Sequence, residues 1–333
     1  MKKKLLVMVM AAVMVVATVA GCGSTKDNAD KKQGGEPNSK LLGLSVDQQF
    51  ESRVSETDAI KEEAKKQGYD IEEVVADGDA QTQNSQIETL INKKVAALIV
   101  CAVDQNTIET ALMKAKNANI PVIAFDRDLP DSEATDTYVG PESITDGKAC
   151  GEAMAEALAN EEGTVKVLEL VGALNDQNGI DRSTGWNEGM KKLKNLEVIQ
   201  MPTDWDSETA LEATQNAFQA NPDIKGVFCG TDSFIPGVET VLRDLGKDAL
   251  VGEEGHIFVN GVNGSKDGYD ATVSGVADGF LVMDLQTIGE TAVKLAGSLI
   301  KGEKVDVQIS SREFIIPMKM QRLIKIKSGA QNN

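Results

Sequence analysis

Residues 95–127 read VAALIVCAVDQNTIETALMKAKNANIPVIAFDR. Val95–Val103 is a continuous apolar run, the kind of strand that is buried on both faces of a parallel sheet. Thr107–Asn117 follows with Ile108, Ala111, Leu112 and Ala115 at helical spacing. Ile120–Phe125 is a second apolar strand, and it ends in Asp126-Arg127. A strand, a helix and a strand in some thirty residues make a βαβ unit, which needs a parallel sheet covered by helices.

The same rhythm extends in both directions. Upstream, Leu41–Val46 is a short apolar run. Ser55–Gln67 is helical, with Ala59, Ile60 and Ala64 on one side and Gly68 closing it. Tyr69–Val75 is the next strand, and Asn84–Lys93 a helix with Ile87, Leu90 and Ile91 inward. Downstream, helices are expected at Asp146–Ala159, Gly185–Leu193, Ser207–Ala220 and Pro236–Leu245. Strands are expected at Val165–Val171, Val198–Met201, Ile224–Cys229 and His256–Val262. Leu281–Ile300 carries Leu281, Leu285, Ile288, Ala292, Leu295 and Leu299 at spacings of three and four and reads as a last helix. The strand Val305–Ile309 and a β-rich tail come after it. Two consecutive α/β stretches of one rhythm predict two lobes.

Ligands of such sheets bind beyond the carboxyl ends of the strands. That rule selects Val46–Phe50, Asp104, Asp126-Arg127, Asn175–Arg182, Trp205-Asp206, Thr231-Asp232 and Asn263. The set holds carboxylates, guanidinium groups, amides and two aromatics, and no nucleophile beside a base. Hydroxyl groups donate and accept, so they are matched by Asp as acceptor, Arg as donor and Asn as both. Phe50 and Trp205 offer flat apolar faces to the C–H side of a sugar ring. With 4% aromatic residues in the chain, two at strand ends are informative.

The N-terminus carries an address. Lys2, Lys3 and Lys4 precede an apolar run from Leu5 to Val19, shorter than the ~18–20 residues of a spanning helix. Val19-Ala20-Gly21-Cys22 resembles the bacterial lipobox. Residues 1–21 are therefore expected to be a signal peptide and Cys22 a lipidation site. Residues 22–40, almost without apolar side chains, form a flexible tether. The product is expected on the outer face of the cell membrane, held by its lipid. The formal charge of −18, which grows more negative when the three lysines are removed, argues against nucleic acid as partner. Cys101, Cys150 and Cys229 are an odd set in apolar surroundings and read as buried free thiols. One histidine, His256, leaves no metal-ligand cluster and weakens hydrolase schemes built on a histidine base. No metal or cofactor is expected.

The strand-end residues also carry a resemblance. GDAQTQNSQIETLI at 78–91, NIPVIAFDR at 119–127 and KGEK at 301–304 resemble the sugar-binding proteins of ABC transporters, in the ribose-, galactose- and xylose-binding family of type I periplasmic binding proteins. The resemblance spans roughly residues 41–310. It implies two doubly wound α/β lobes joined by a three-crossover hinge. The lobes implied are 41–136 with 276–304, and 137–275 with 305–327. It also implies closure on one monosaccharide, delivery to an ABC permease, a monomer and no catalysis.

Residue by residue, the resemblance assigns Asp126 and Arg127 to sugar hydroxyls, Asn178 and Arg182 to the second lobe's share, and Trp205 to stacking. Asp47-Gln48-Gln49-Phe50 resembles the galactose-type loop, which makes Gln48 and Phe50 candidates. Arg53 instead matches a xylose-type arginine, and the two alignments compete. Thr231 with Asp232 stands where the family has Asn-Asp, and Asn263 where it has Asp. Trp186, after the helix-opening Gly185, is expected in the core. After Asn263 the family places a helix, whereas Gly264–Gly268 here permits a turn and no helix, and the third-crossover position near Gly275 lacks a polar side chain. Two other roles stay open: a sensory protein that presents sugar to a membrane receptor, and a secreted glycosidase using Asp126 and Asp232.

Overall fold

The computed structural model describes residues 38–306, 308–309 and 312–315. The signal peptide, Cys22 and most of the tether lie outside them, as does residue 316 onward.

The first lobe starts with β1 (Asn38–Val46), α1 (Glu51–Gln67), β2 (Asp70–Val75), α2 (Ala80–Asn92), β3 (Val95–Val100), α3 (Glu109–Asn117), β4 (Val122–Phe125) and β5 (Thr137–Gly140). All six residues of β3 are buried, as a strand flanked by neighbours and covered on both faces must be. Helix ends follow local chemistry. Gly68 stops α1 with φ 80°, a left-handed geometry that costs glycine nothing. Asp79 opens α2 by accepting the Thr82 N–H.

The chain then enters the second lobe with α4 (Ser143–Ala157), β6 (Val165–Val171), α5 (Gln177–Met190), β7 (Leu196–Pro202), α6 (Ser207–Ala220), β8 (Ile224–Cys229), α7 (Ile235–Asp244), β9 (Phe258–Asn263), α8 (Lys266–Ser274) and β10 (Gly279–Met283). It returns to the first lobe as α9 (Leu285–Ile300) and β11 (Gln308–Ile309), and closes in the second with β12 (Arg312–Ile315). The two sheets have the orders β11-β5-β4-β3-β1-β2 and β12-β10-β9-β8-β6-β7. The pairs are parallel except β12, which runs antiparallel to β10. These are two doubly wound sheets of matching order, and the chain crosses between them three times. In each, the order reverses at one place, between β1 and β3 and between β6 and β8. The crevice for a ligand opens there.

Three expectations need correction. Residues 137–140 pair with β4 and belong to the first lobe, so the first crossover falls at Pro141-Glu142 and not at 136. The strand TYVG is four residues long, too short to show a period. Second, 279–283 is a strand of the second sheet and not the start of the last helix. The return crossover is therefore Asp284, and residues 276–283 leave the first lobe, while Gln308–Ile309 pair with β5 and belong to the first lobe rather than to the second, as 305–327 had implied. Asp284 caps α9 through Thr287, a local signal that marks this boundary. Third, the segment after Asn263 is not a bare turn. Helix α8 occupies Lys266–Ser274, and Gly275 ends it at φ 86°. Tyr269 and Val273, one turn apart, face solvent there, so the helix has little of the apolar stripe that pattern reading depends on.

Helices α4 and α5 cross at a glycine seam. A Cβ at Gly147 would fall on the Arg182 carbonyl, and one at Gly185 on the Ile144 carbonyl. Trp186 lies in the core, stacked on Phe228 with ring centroids 5.3 Å apart. Cys101, Cys150 and Cys229 are buried and free.

Candidate ligand-binding site

The switch points of the two sheets face each other across a cleft. An inner cavity lies between them. Phe50, Arg53, Asp126, Arg127, Asn178, Arg182, Trp205, Thr231, Asp232 and Asn263 line it, together with Ser52, Ser233, Ser265, Met283 and Leu285. Gln48 does not reach this cavity. It lines an outer chamber with Asp47, Asn175, Asp176 and Asp204, and Arg127 and Trp205 border both spaces.

The first lobe's contribution centres on Arg53, in the first turns of α1 and almost wholly buried. Its Nε donates to Asp47 Oδ1 at 2.8 Å, its Nη2 to Asp126 Oδ2 at 2.6 Å, and its Nη1 to Glu56. The guanidinium carbon sits 5.5 Å from the Phe50 ring and 5.3 Å from the Phe125 ring, a cation–π arrangement. Phe50 and Arg53 both border the cavity. Arg53 also neutralises acids that would otherwise be buried alone.

Asp126 follows β4 with φ 59°, a left-handed backbone that Asp tolerates better than most residues. Burial pushes its pKa up, but Arg53, with help from Arg182 and Arg127, outweighs this and holds it below the usual carboxylate range. Glu56 goes the other way: burial and the Asp126 charge raise it well above its ordinary value despite Arg53. Arg127 donates from Nη1 to the Ala102 carbonyl at 2.7 Å, and its Nη2 lies 3.0 Å from Asp47 Oδ2.

The second lobe offers the start of α5. Asp176 caps this helix through the Gly179 N–H at 2.9 Å and stands 3.6 Å from Arg127 across the cleft. It also accepts the indole N–H of Trp205. Asn178 donates from Nδ2 to Asp126 Oδ2 at 3.2 Å, again between lobes, and accepts from Ser143 Oγ at 2.9 Å. Arg182, one turn on, lies 5.6 Å from the Trp205 ring. It donates to the Gly230 carbonyl at 2.9 Å, and its buried Nε has no partner among the described residues. Asn263 donates to Thr231 Oγ1 at 2.9 Å, while its buried Oδ1 has no partner among the described residues. Asp232 accepts the Ser265 N–H at the start of α8. Burial, with nearby Asp267 adding to it, moves its pKa up to about 6 against the Ser265 bond.

Arg182 and Asn263, which line the cavity, thus each keep one buried polar atom without a partner among the described residues, beside carboxylates on both lobes and the aromatic residues Phe50 and Trp205. A small neutral molecule rich in hydroxyls can satisfy such a set. Sequence reading passed over Glu56, Met283 and Leu285. Arg53 and Glu56 at helical i,i+3 spacing were a usable signal for the first. The short apolar run FLVM before the Asp284 cap was one for the others.

The periplasmic binding protein domain family matches residues 46–304 of this chain. The ribose import binding protein of Bacillus subtilis is 28% identical over 269 residues, covering 80% of this chain and 82% of that protein. The xylitol-binding protein of Mycolicibacterium smegmatis is 25% identical over 296 residues, 88% of this chain and 79% of that one. Among solved structures, an ABC transporter solute binding protein from Bacillus halodurans with bound myo-inositol superposes with a TM-score of 0.78 at 25% identity. It covers 87% of this chain and 98% of that one.

Proposed function

The chain belongs to the periplasmic binding protein family, and from that premise we propose that it captures one monosaccharide between its lobes and hands it to an ABC permease. The observation that carries this reading is the pair of buried, unpartnered atoms, Arg182 Nε and Asn263 Oδ1, both in residues lining the inner cavity. In this reading Asp126, Arg127, Asn178, Arg182, Thr231, Asp232 and Asn263 bind hydroxyl groups. Phe50 and Trp205 hold the ring faces, and Arg53 positions Asp126. The ribose import protein and the xylitol-binding protein named above support a small polyhydroxylated ligand.

Closure follows from the same contacts. A sugar that touches residues of both lobes only when they are together favours the closed state by its differential affinity. Micromolar binding corresponds to about 8 kcal/mol, within reach of several charge-assisted bonds of about 1.5–3 kcal/mol each together with ring stacking.

Lipid attachment at Cys22 belongs to this proposal. It keeps the receptor beside its permease, with residues 23–37 as the tether, since Asn38 opens β1. Mass spectrometry of membrane-extracted protein with an N-terminus at Cys22 carrying acyl chains is the expected result, and an unmodified N-terminus there removes the anchor. For the ligand, thermal unfolding of purified protein is followed against pentoses, hexoses and related polyols. A ligand that binds only the folded chain raises the midpoint with concentration. No shift with any of them excludes the sugar reading, and hydrolysis of a glycoside by the purified protein excludes a pure binding role.

A further inference from the structure

Met283 and Leu285 form an apolar stretch of the inner cavity wall, on either side of the Asp284 crossover. The one polar side chain of this crossover is turned away to its helix. Asp284 Oδ1 accepts the Thr287 N–H at 2.9 Å and Oδ2 the Thr287 hydroxyl at 2.6 Å. Met283 is 5% exposed, and its sulfur takes a hydrogen bond from Arg182 Nη2 at 3.0 Å. Thioether sulfur is a weak acceptor, so it serves a ligand hydroxyl poorly. Phe50 and Trp205 already supply two ring-stacking surfaces. A third apolar surface meets a substituent or an edge of the ring. A hydroxyl pressed against it gives up water and gains no good partner there.

We propose that the bound sugar turns a carbon without a hydroxyl towards Met283 and Leu285, either the methyl of a deoxy sugar or the ring methylene of a pentopyranose. This rests on the monosaccharide reading above and adds the feature by which the pocket chooses among monosaccharides. An apolar pocket rejects an isostere that carries one more hydroxyl by roughly 10- to 100-fold, which sets the size of the expected preference.

The test is calorimetric titration of the purified protein with matched pairs: D-fucose and D-galactose, L-rhamnose and L-mannose, D-xylose and D-glucose, D-ribose and D-allose. Within the pair that binds, the member without the exocyclic hydroxyl is expected to bind at least about tenfold tighter. Met283→Gln is expected to shrink that gap by strengthening the hydroxylated member. Equal or tighter binding of the hydroxylated member overturns the inference and leaves the sugar reading standing. A gap that Met283→Gln leaves unchanged overturns the assignment to this wall. Should Met283→Gln fail to fold, Leu285→Asn makes the same comparison. No binding of any of the eight sugars removes the monosaccharide reading, and the inference falls with it.

Discussion

Asn178 and Asp126 are joined across the cleft by a 3.2 Å hydrogen bond, from an amide on the second lobe to a carboxylate on the first. The same carboxylate oxygen is held at 2.6 Å by Arg53 within its own lobe. Asp126 is thus anchored within its own lobe and shared with the other.

Truncating the shared side separates closure from folding. Asn178→Ala leaves Arg53 and Asp126 paired, so the unliganded midpoint should move by no more than a few degrees. Ligand affinity should fall about tenfold, the worth of one charge-assisted hydrogen bond. Titration calorimetry beside thermal unfolding reads both. Unchanged affinity would show that this amide has no part in closure.

Removing the anchor behaves differently. Arg53→Met leaves Asp47, Glu56 and Asp126 buried without their common cation. Breaking a buried network from one side costs about 3–5 kcal/mol. Denaturant unfolding should show a loss of that order at neutral pH, smaller in acid where carboxyls are protonated. A loss under about 1 kcal/mol would mean the acids find other partners.

Asp232 supplies a pH dependence of the unliganded protein. Its folded pKa, about 6, lies above the unfolded carboxyl value. The folded chain therefore holds the proton more tightly, and this contribution is complete below the unfolded value near 3.9 and gone once pH has risen through about 6. Asp232→Asn should raise the melting midpoint at pH 7.5, on the order of 3–6 °C, and change it little at pH 3.5. An equal effect at both values would rule out the ionised carboxylate as the cause.

His256 works in the same sense at higher pH. Its Nε2 lies 2.9 Å from Asp278 Oδ2 and its Nδ1 2.8 Å from the Ala249 carbonyl. Burial disfavours its charge, but these partners outweigh that and raise its pKa above 6.5. The stabilisation is complete below the unfolded pKa near 6.5 and is lost as pH climbs through the raised folded value. Because the chain has one histidine, a proton NMR titration should show a single imidazole with an elevated midpoint. His256→Gln should cost more stability at pH 6 than at pH 9. A midpoint at or below 6.5 would contradict this geometry.

The two tryptophans divide the optical signal. Trp205 borders the cavity and Trp186 is sealed in the core. A fluorescence change on sugar binding should vanish in Trp205→Ala and persist in Trp186→Phe. Persistence in Trp205→Ala would place the ligand elsewhere.

The alternation of strand and helix was legible because it is local. An apolar run such as Val95–Val100 and a 3.6-residue stripe such as Ala111, Leu112 and Ala115 declare themselves within a few residues. From that alternation came the doubly wound sheets. The rule that ligands bind at strand ends then led to Asp126, Arg127, Asn178 and Arg182, which the folded chain brings to one cavity. Local pattern failed where an element is short or one-sided. Strand β5 has four residues, α8 exposes Tyr269 and Val273, and FLVM before Asp284 fits helix and strand alike.

Sequence alone thus determined the two lobes and the polar chemistry between them, because period and strand-end position are properties of short stretches of chain. Tertiary structure decided what depends on which sheet a strand joins and what meets across the cleft. It placed Thr137–Gly140 in the first lobe and Gly279–Met283 in the second, set Arg53 among three carboxylates, left Gln48 in the outer chamber and turned Met283 and Leu285 inward. Those outcomes rest on pairings and ion contacts between residues far apart in the chain, such as Arg53 with Asp126 and Asp126 with Asn178. No local period encodes them.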